Sequence, residues 1–154
     1  MMIRKAILFS AALMACSLGL AQQAAPLKSL SADECNRKDS TIEIQACETQ
    51  RYQYADKQLN AIYSAAIKNL DEDKRTKLRD SQREWIKFRD ANFALVLSLN
   101  NGDGTYGGIV FGNFKANFVA SRVRELVNIF TQPSGDMPEW WPASAPTWRD
   151  LKKR

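Results

Sequence analysis

The chain has 154 residues, with 22 basic against 17 acidic side chains and a formal net charge of +5. It contains no histidine, which excludes a Ser-His-Asp triad, a Cys-His pair and His-ligated zinc. The positive surplus is too small and too scattered to point to nucleic acid, and the length sets an expectation of one domain.

The chain opens "MMIRKAILFSAALMACSLGLAQQ". Arg4 and Lys5 precede an uncharged apolar run from Ala6 to Leu20, and Gly19 and Ala21 place small residues where a signal peptidase reads. The pattern is a secretory signal, too short for a comfortable membrane span. Residues 1–21 are expected to be removed after Ala21, delivering a periplasmic or secreted protein. "LMAC", Leu13 to Cys16, offers a second reading as a lipobox. Cys16 would then carry lipid and anchor an outer-membrane lipoprotein, although Met14 is unusual there and the apolar run continues past the cysteine. A membrane contact is implied only on that second reading.

Residues 22–34 read as a leader, with Ser31 or Asp33 placed to cap a short helix through Cys35. Cys35 and Cys47 remain as a pair in an exported chain and are expected to form a disulfide. Closing so short a loop stabilises by about 3 kcal/mol in the chain-entropy model. Two free thiols or a metal pair is the rival reading, but the chain supplies no further mature Cys and no His.

Ser40 or Thr41 then caps a long helix, with Glu43 in its first turn. Ala55, Leu59, Ile62, Ala66 and Leu70 recur at three- and four-residue steps, one helical stripe without Pro or Gly. "DEDK", Asp71 to Lys74, is a polar break whose acids suit the start of a second helix and are expected to be solvated, not catalytic. Leu78, Trp85, Phe88, Leu95 and Leu99 mark that helix's apolar face, widened by Ile86, Phe93 and Leu97.

"NNGDGTYGG", Asn100 to Gly108, reads as a loop because of its four Gly and two Asn. It matches a calcium-binding loop at Asn101, Asp103 and Gly104 but has Leu99 and Val110 where the two terminal acids belong, so no metal and no other cofactor is expected. Phe111, Phe114, Phe118, Val119, Val123, Leu126 and Phe130 describe a third long helix ending near Thr131. Residues 35–131 thus form the expected domain: an all-α, small antiparallel bundle of three long helices with a short disulfide-tied N-terminal helix. Residues 132–154 form a Pro- and Trp-rich basic tail. Either it lays Trp140, Trp141 and Trp148 on the bundle or it is a flexible partner-binding segment; exposed Trp is costly in solubility, which favours the first.

Two segments carry a family resemblance. "ADKQLNAIY", Ala55 to Tyr63, resembles the D-x-x-L-N-x-x-Y signature of the LprI-like lysozyme-inhibitor family, through Asp56, Leu59, Asn60 and Tyr63. "QREWIKFRDANF", Gln82 to Phe93, is similar to its Q-x-x-W-x-x-F-R-D-A segment, through Gln82, Trp85, Arg89 and Asp90. Cys35 and Cys47 sit where family members carry their first pair, Gly107-Gly108 resembles a later Gly-Gly, and Arg122 with Leu126 resembles a terminal R-x-x-x-L. The resemblance spans Cys35 to Phe130. Where the family places a second Cys pair, this chain has Phe93 and Phe114. Replacement of both by the same aromatic predicts a packed ring contact in place of the covalent tie.

The motif residues admit a plain reading, a polar seam inside the bundle, and a functional one, direct partner contact. A half-buried guanidinium needs a carboxylate or amide, so Arg89 is expected to face Asp56 and Asn60, covered by Trp85. The resemblance implies a proteinaceous inhibitor of lysozyme-type peptidoglycan hydrolases, with a protein partner, and no catalytic residues are expected because nothing in the sequence supplies a poised acid, base or nucleophile. Exposure logic makes Asp103 and Tyr106 possible partner contacts. Basic charge counts against fast encounter with a basic lysozyme, so an immunity protein against a cell-wall toxin is the alternative. A non-inhibitory envelope interaction module, using the tail, is a further one.

Overall fold

The computed structural model describes residues 29–152 and is all-helical over that span. The expected signal, the lipobox cysteine Cys16, most of the leader and the last two residues lie outside it. Five helices follow in order: α1 (Ala32–Asn36), α2 (Thr41–Asn69), α3 (Glu72–Leu99), α4 (Gly104–Phe130) and α5 (Trp148–Leu151).

Side-chain caps explain where the first three begin. Ser31 caps α1 in a reciprocal pair with Glu34, and Ser40 accepts from the Glu43 N–H to open α2. Asp71 accepts from the Lys74 N–H and opens α3, so the break is two residues, Leu70 and Asp71, and the other acids already lie in the helix. The Cys35–Cys47 disulfide, with Cα atoms 5.4 Å apart, ties α1 to the first turns of α2.

α2 and α4 run parallel and pair closely, while α3 runs antiparallel to both. Gln45 bonds the Thr105 carbonyl, Glu48 meets Asn113 and Arg51 meets Asn117, a register that rises in both helices together. Their shared core is Ala55, Leu59, Ile62 and Ala66 against Val119, Val123, Leu126 and Val127. The stripe expected on α2 is thus the one buried.

Two expectations are corrected. α4 starts at Gly104, so the irregular segment is Asn100–Asp103 and Gly107-Gly108 lie in a helix. Glycine there serves close approach: a Cβ on Gly107 would sit 2.6 Å from the Asn100 carbonyl oxygen, and one on Gly112 would press on Glu48 of α2 at 3.0 Å. Second, the apolar face of α3 is largely uncovered. Leu78 is its one buried residue, while Ile86, Phe88, Leu95, Leu97 and Leu99 are exposed. α3 leans on α4 through Trp85 and Phe93, while α2 and α4 bury their stripes against each other, so the rest of so wide a stripe stays uncovered.

The tail lies on the bundle. Trp140, Trp141, Trp148, Met137 and Leu151 pack against the core, and Ala145 is buried in it. Phe130 meets Trp140 edge to face with centroids 5.2 Å apart, and the Trp141 indole N–H donates to the Pro146 carbonyl.

Candidate functional site

Four of the motif residues converge between α3 and α4. Arg122 is 6% exposed. Its guanidinium donates to Ser81 Oγ at 2.8 Å, Glu125 Oε2 at 3.0 Å and Gln82 Oε1 at 3.3 Å. Three acceptors spread around one planar fork is geometry that Lys does not reproduce. Trp85 lies beside it, its ring centroid 5.8 Å from the Arg122 guanidinium and 5.4 Å from that of Arg89. One indole is therefore shared by two cations, an arrangement stabilised by the ring quadrupole.

The expected seam between Arg89 and α2 does not form. Arg89 pairs with its neighbour Asp90 at 2.8 Å and lies over Trp85 and Phe93. Asp56 accepts from Asn60 within α2, Leu59 is core, and Tyr63 packs partly buried against it. The reason is the placement of α3, which lies more against α4 than against α2, so Arg89 and Asp56 face different neighbours.

A second polar cluster escaped the sequence reading. Glu48 is fully buried, paired with Arg51 at 2.6 Å and accepting from Asn113 at 3.2 Å. Arg51 also donates to Asn117, which donates to Asn113. A buried carboxylate must be paired, and here it is paired from both helices. The legible signals were the three-residue step from Glu48 to Arg51 and the four-residue step from Asn113 to Asn117; neither is distinctive alone.

The possible contacts lie at one end of the bundle, where α2 begins, α3 ends and α4 begins. The Asp103 carboxylate does not cap α4, although its carbonyl accepts from the Gly107 N–H, and Tyr106 is 66% exposed. Ile42, Leu95, Leu97 and Leu99 of the same end are also exposed, and no charged residue occurs from Ala91 to Leu99. Exposed apolar side chains gathered at one end of a fold are a common mark of interaction sites.

A protein-family model described as "Lysozyme inhibitor LprI" matches residues 32–126, from the first residue of α1 to a buried leucine of α4. The chain belongs to the lysozyme inhibitor LprI family. The matched span takes in the disulfide, the Arg122–Trp85 junction and the apolar end, and stops before the Trp-rich tail. No match to this chain was found among curated proteins or among solved structures. For this LprI-family chain, no group of side chains suited to a metal ion occurs among the described residues, and no described helix is long and apolar enough to cross a membrane.

Proposed function

We propose that the protein is an exported inhibitor of lysozyme-type peptidoglycan hydrolases, acting in the periplasm and contacting its target through the end of the bundle that carries Asp103 and Tyr106. Family membership over residues 32–126 is the observation that carries this reading. Three features support it. A disulfide suits an oxidising compartment. The contact end is held by long helices, which present side chains more rigidly than loops do. Tyr106 is a projecting aromatic of the type that anchors interfaces, and glycosidases of this class offer a cleft containing two carboxylates.

The uncharged stretch from Ala91 to Leu99 makes burial, not charge steering, the source of affinity. A target less basic than animal lysozyme is therefore favoured, since two basic proteins meet slowly. The immunity-protein reading uses the same surface against a bacterial toxin. The envelope-module reading loses its main support, because the tail's three Trp are engaged with the bundle.

The test is lysis of purified cell walls by lysozyme with the protein titrated in. Stoichiometric loss of lysis is expected, weakened at least about tenfold by Tyr106→Ala, as for an aromatic anchor, with the melting temperature unchanged. Undiminished lysis by a folded protein overturns host-lysozyme inhibition, and a panel of bacterial hydrolases then tests the immunity reading. Mass spectrometry of the exported protein separates cleavage after Ala21 from lipid on Cys16.

A further inference from the structure

The outer face of α3 carries a stripe that the fold leaves largely uncovered. Phe88, Leu95 and Leu99 are 61%, 55% and 73% exposed. With half-buried Asn92 among them they follow steps of four, three and four residues. Such steps keep all four side chains on one side of a helix, over about 16 Å of its length. Phe88 rests one edge on Phe118 of α4, while Trp85 and Phe93 turn the inner side of α3 toward that helix.

The spacing is that of a seam between two helices, narrower than the face a helix turns toward a globular core. A second copy of α3 supplies the matching seam. Charge points the same way. A surface that meets itself sets charges against their likes, which is costly, and no charged residue occurs from Ala91 to Gly102. Where charge returns, at the N-terminal edge of the stripe, Glu84 and Lys87 neutralise each other at 2.7 Å.

Asn92 sets the direction of pairing. One of its amide N–H groups donates to the Phe88 carbonyl, and its Oδ1 accepts no hydrogen bond from the described residues. An amide both donates and accepts, so it can pair with its own copy, and a single polar side chain in an apolar seam specifies register. In a parallel, in-register pair Asn92 meets Asn92, and each apolar side chain meets its own copy. An antiparallel pair centred on the stripe sets Asn92 against Leu95 and brings Glu84 opposite Asp103, a like-charge contact. Both considerations favour the parallel pair. A seam of this length buries on the order of 1,000 Å² over two copies, the lower limit for a specific interface, so association is expected to be reversible.

We propose that the protein forms a parallel homodimer through the outer face of α3, seamed by Phe88, Asn92, Leu95 and Leu99. Leu95 and Leu99 also belong to the end proposed to meet a hydrolase, so a second copy and a target exclude each other there. The dimer is measured without any hydrolase and does not depend on the inhibitor reading.

The test is sedimentation velocity of the exported, disulfide-bonded protein from about 1 μM to about 300 μM, the range in which an interface of this size associates. A concentration-dependent shift from monomer to dimer is expected. Leu95→Glu is expected to weaken association at least about tenfold, with circular dichroism unchanged because the side chain is exposed. Under mild oxidation Asn92→Cys is expected to be trapped as a linked dimer faster than Ala94→Cys, an exposed α3 position off the stripe. A monomer at every concentration overturns the proposal, as does a dimer indifferent to Leu95→Glu or linked equally fast at both positions. A monomer that instead sediments with phosphatidylglycerol vesicles, and fails to do so as Leu95→Glu, overturns it in favour of a lipid surface.

Discussion

Phe93 on α3 meets Phe114 on α4 edge to face, with ring centroids 6.1 Å apart and planes at 73°. These are the positions where the resemblance places a second cysteine pair, and the ring contact expected there from the paired replacement is present. Phe93 also touches Phe111 and Phe118, so the tie between the two helices is a four-ring cluster. Phe93→Ala is expected to cost about 2 kcal/mol, below the full-burial range because the ring is partly exposed. A double-mutant cycle with Phe114→Ala should return a coupling of about 1 kcal/mol. Urea unfolding measures both, and additive losses would show that the rings do not cooperate.

Arg122 is expected to resist conservative replacement. Arg122→Lys retains the charge but cannot reach Ser81, Gln82 and Glu125 together, so it should lose about 2 kcal/mol, close to the loss for Arg122→Met. Equilibrium denaturation of the two variants decides this. Full stability in the lysine variant would mean that charge alone, not the fork, matters.

Glu48 ties α2 to α4 from a fully buried position. Glu48→Ala leaves the Arg51 guanidinium without its carboxylate and is expected to cost about 3 kcal/mol. Glu48→Gln keeps an acceptor for Arg51 and should cost less. Melting temperatures of the pair give the order, and equal losses would show that shape, not pairing, governs the site.

Opening the Cys35–Cys47 bond should cost about 3 kcal/mol in the chain-entropy model. The Cys35→Ser/Cys47→Ser variant and the reduced protein are expected to melt at similar, lowered temperatures with α2–α4 helicity retained, because the tie secures α1 and not the main core. Collapse of the whole circular dichroism signal would contradict that division.

The start of α3 carries a pH-dependent term. The side-chain and backbone hydrogen bonds to Lys74 hold the Asp71 carboxyl below its ordinary value of 3.8, and the Lys74 ammonium is raised in turn by Asp71. A carboxyl lowered in the folded state stabilises above its unfolded pKa, and the gain is lost as pH falls through the lower folded value. Thermal melts of the protein and of Asp71→Asn are therefore expected to differ at neutral pH and to converge in strong acid. A difference that persists in acid would assign the effect to cap geometry instead of charge.

Local signals carried much of the architecture. Ser31, Ser40 and Asp71 mark helix starts by capping chemistry confined to four residues, and the Ala55–Leu59–Ile62–Ala66 stripe marks its own buried face. The pairing of Cys35 with Cys47 followed from compartment and count. The glycines of the Asn100–Gly108 stretch misled, because glycine permits both a turn and a close helix contact, and the choice rests on what lies opposite. Gly112 reads as a weak helix position until Glu48 is seen pressing on it.

By itself, then, the sequence determined helix type, most helix limits, the disulfide and the aromatic tie, since each depends on residues near in sequence or on paired replacement. Tertiary structure alone decided which polar groups meet and which apolar faces stay open. Arg122 instead of Arg89 became the buried cation, Glu48 became its counterpart on the other seam, and the outer face of α3 was left exposed. The physical reason is that burial belongs to a pair of surfaces. α2 and α4 bury their apolar stripes against each other, α3 lies mainly against α4, and no periodicity within α3 records where its neighbours stand.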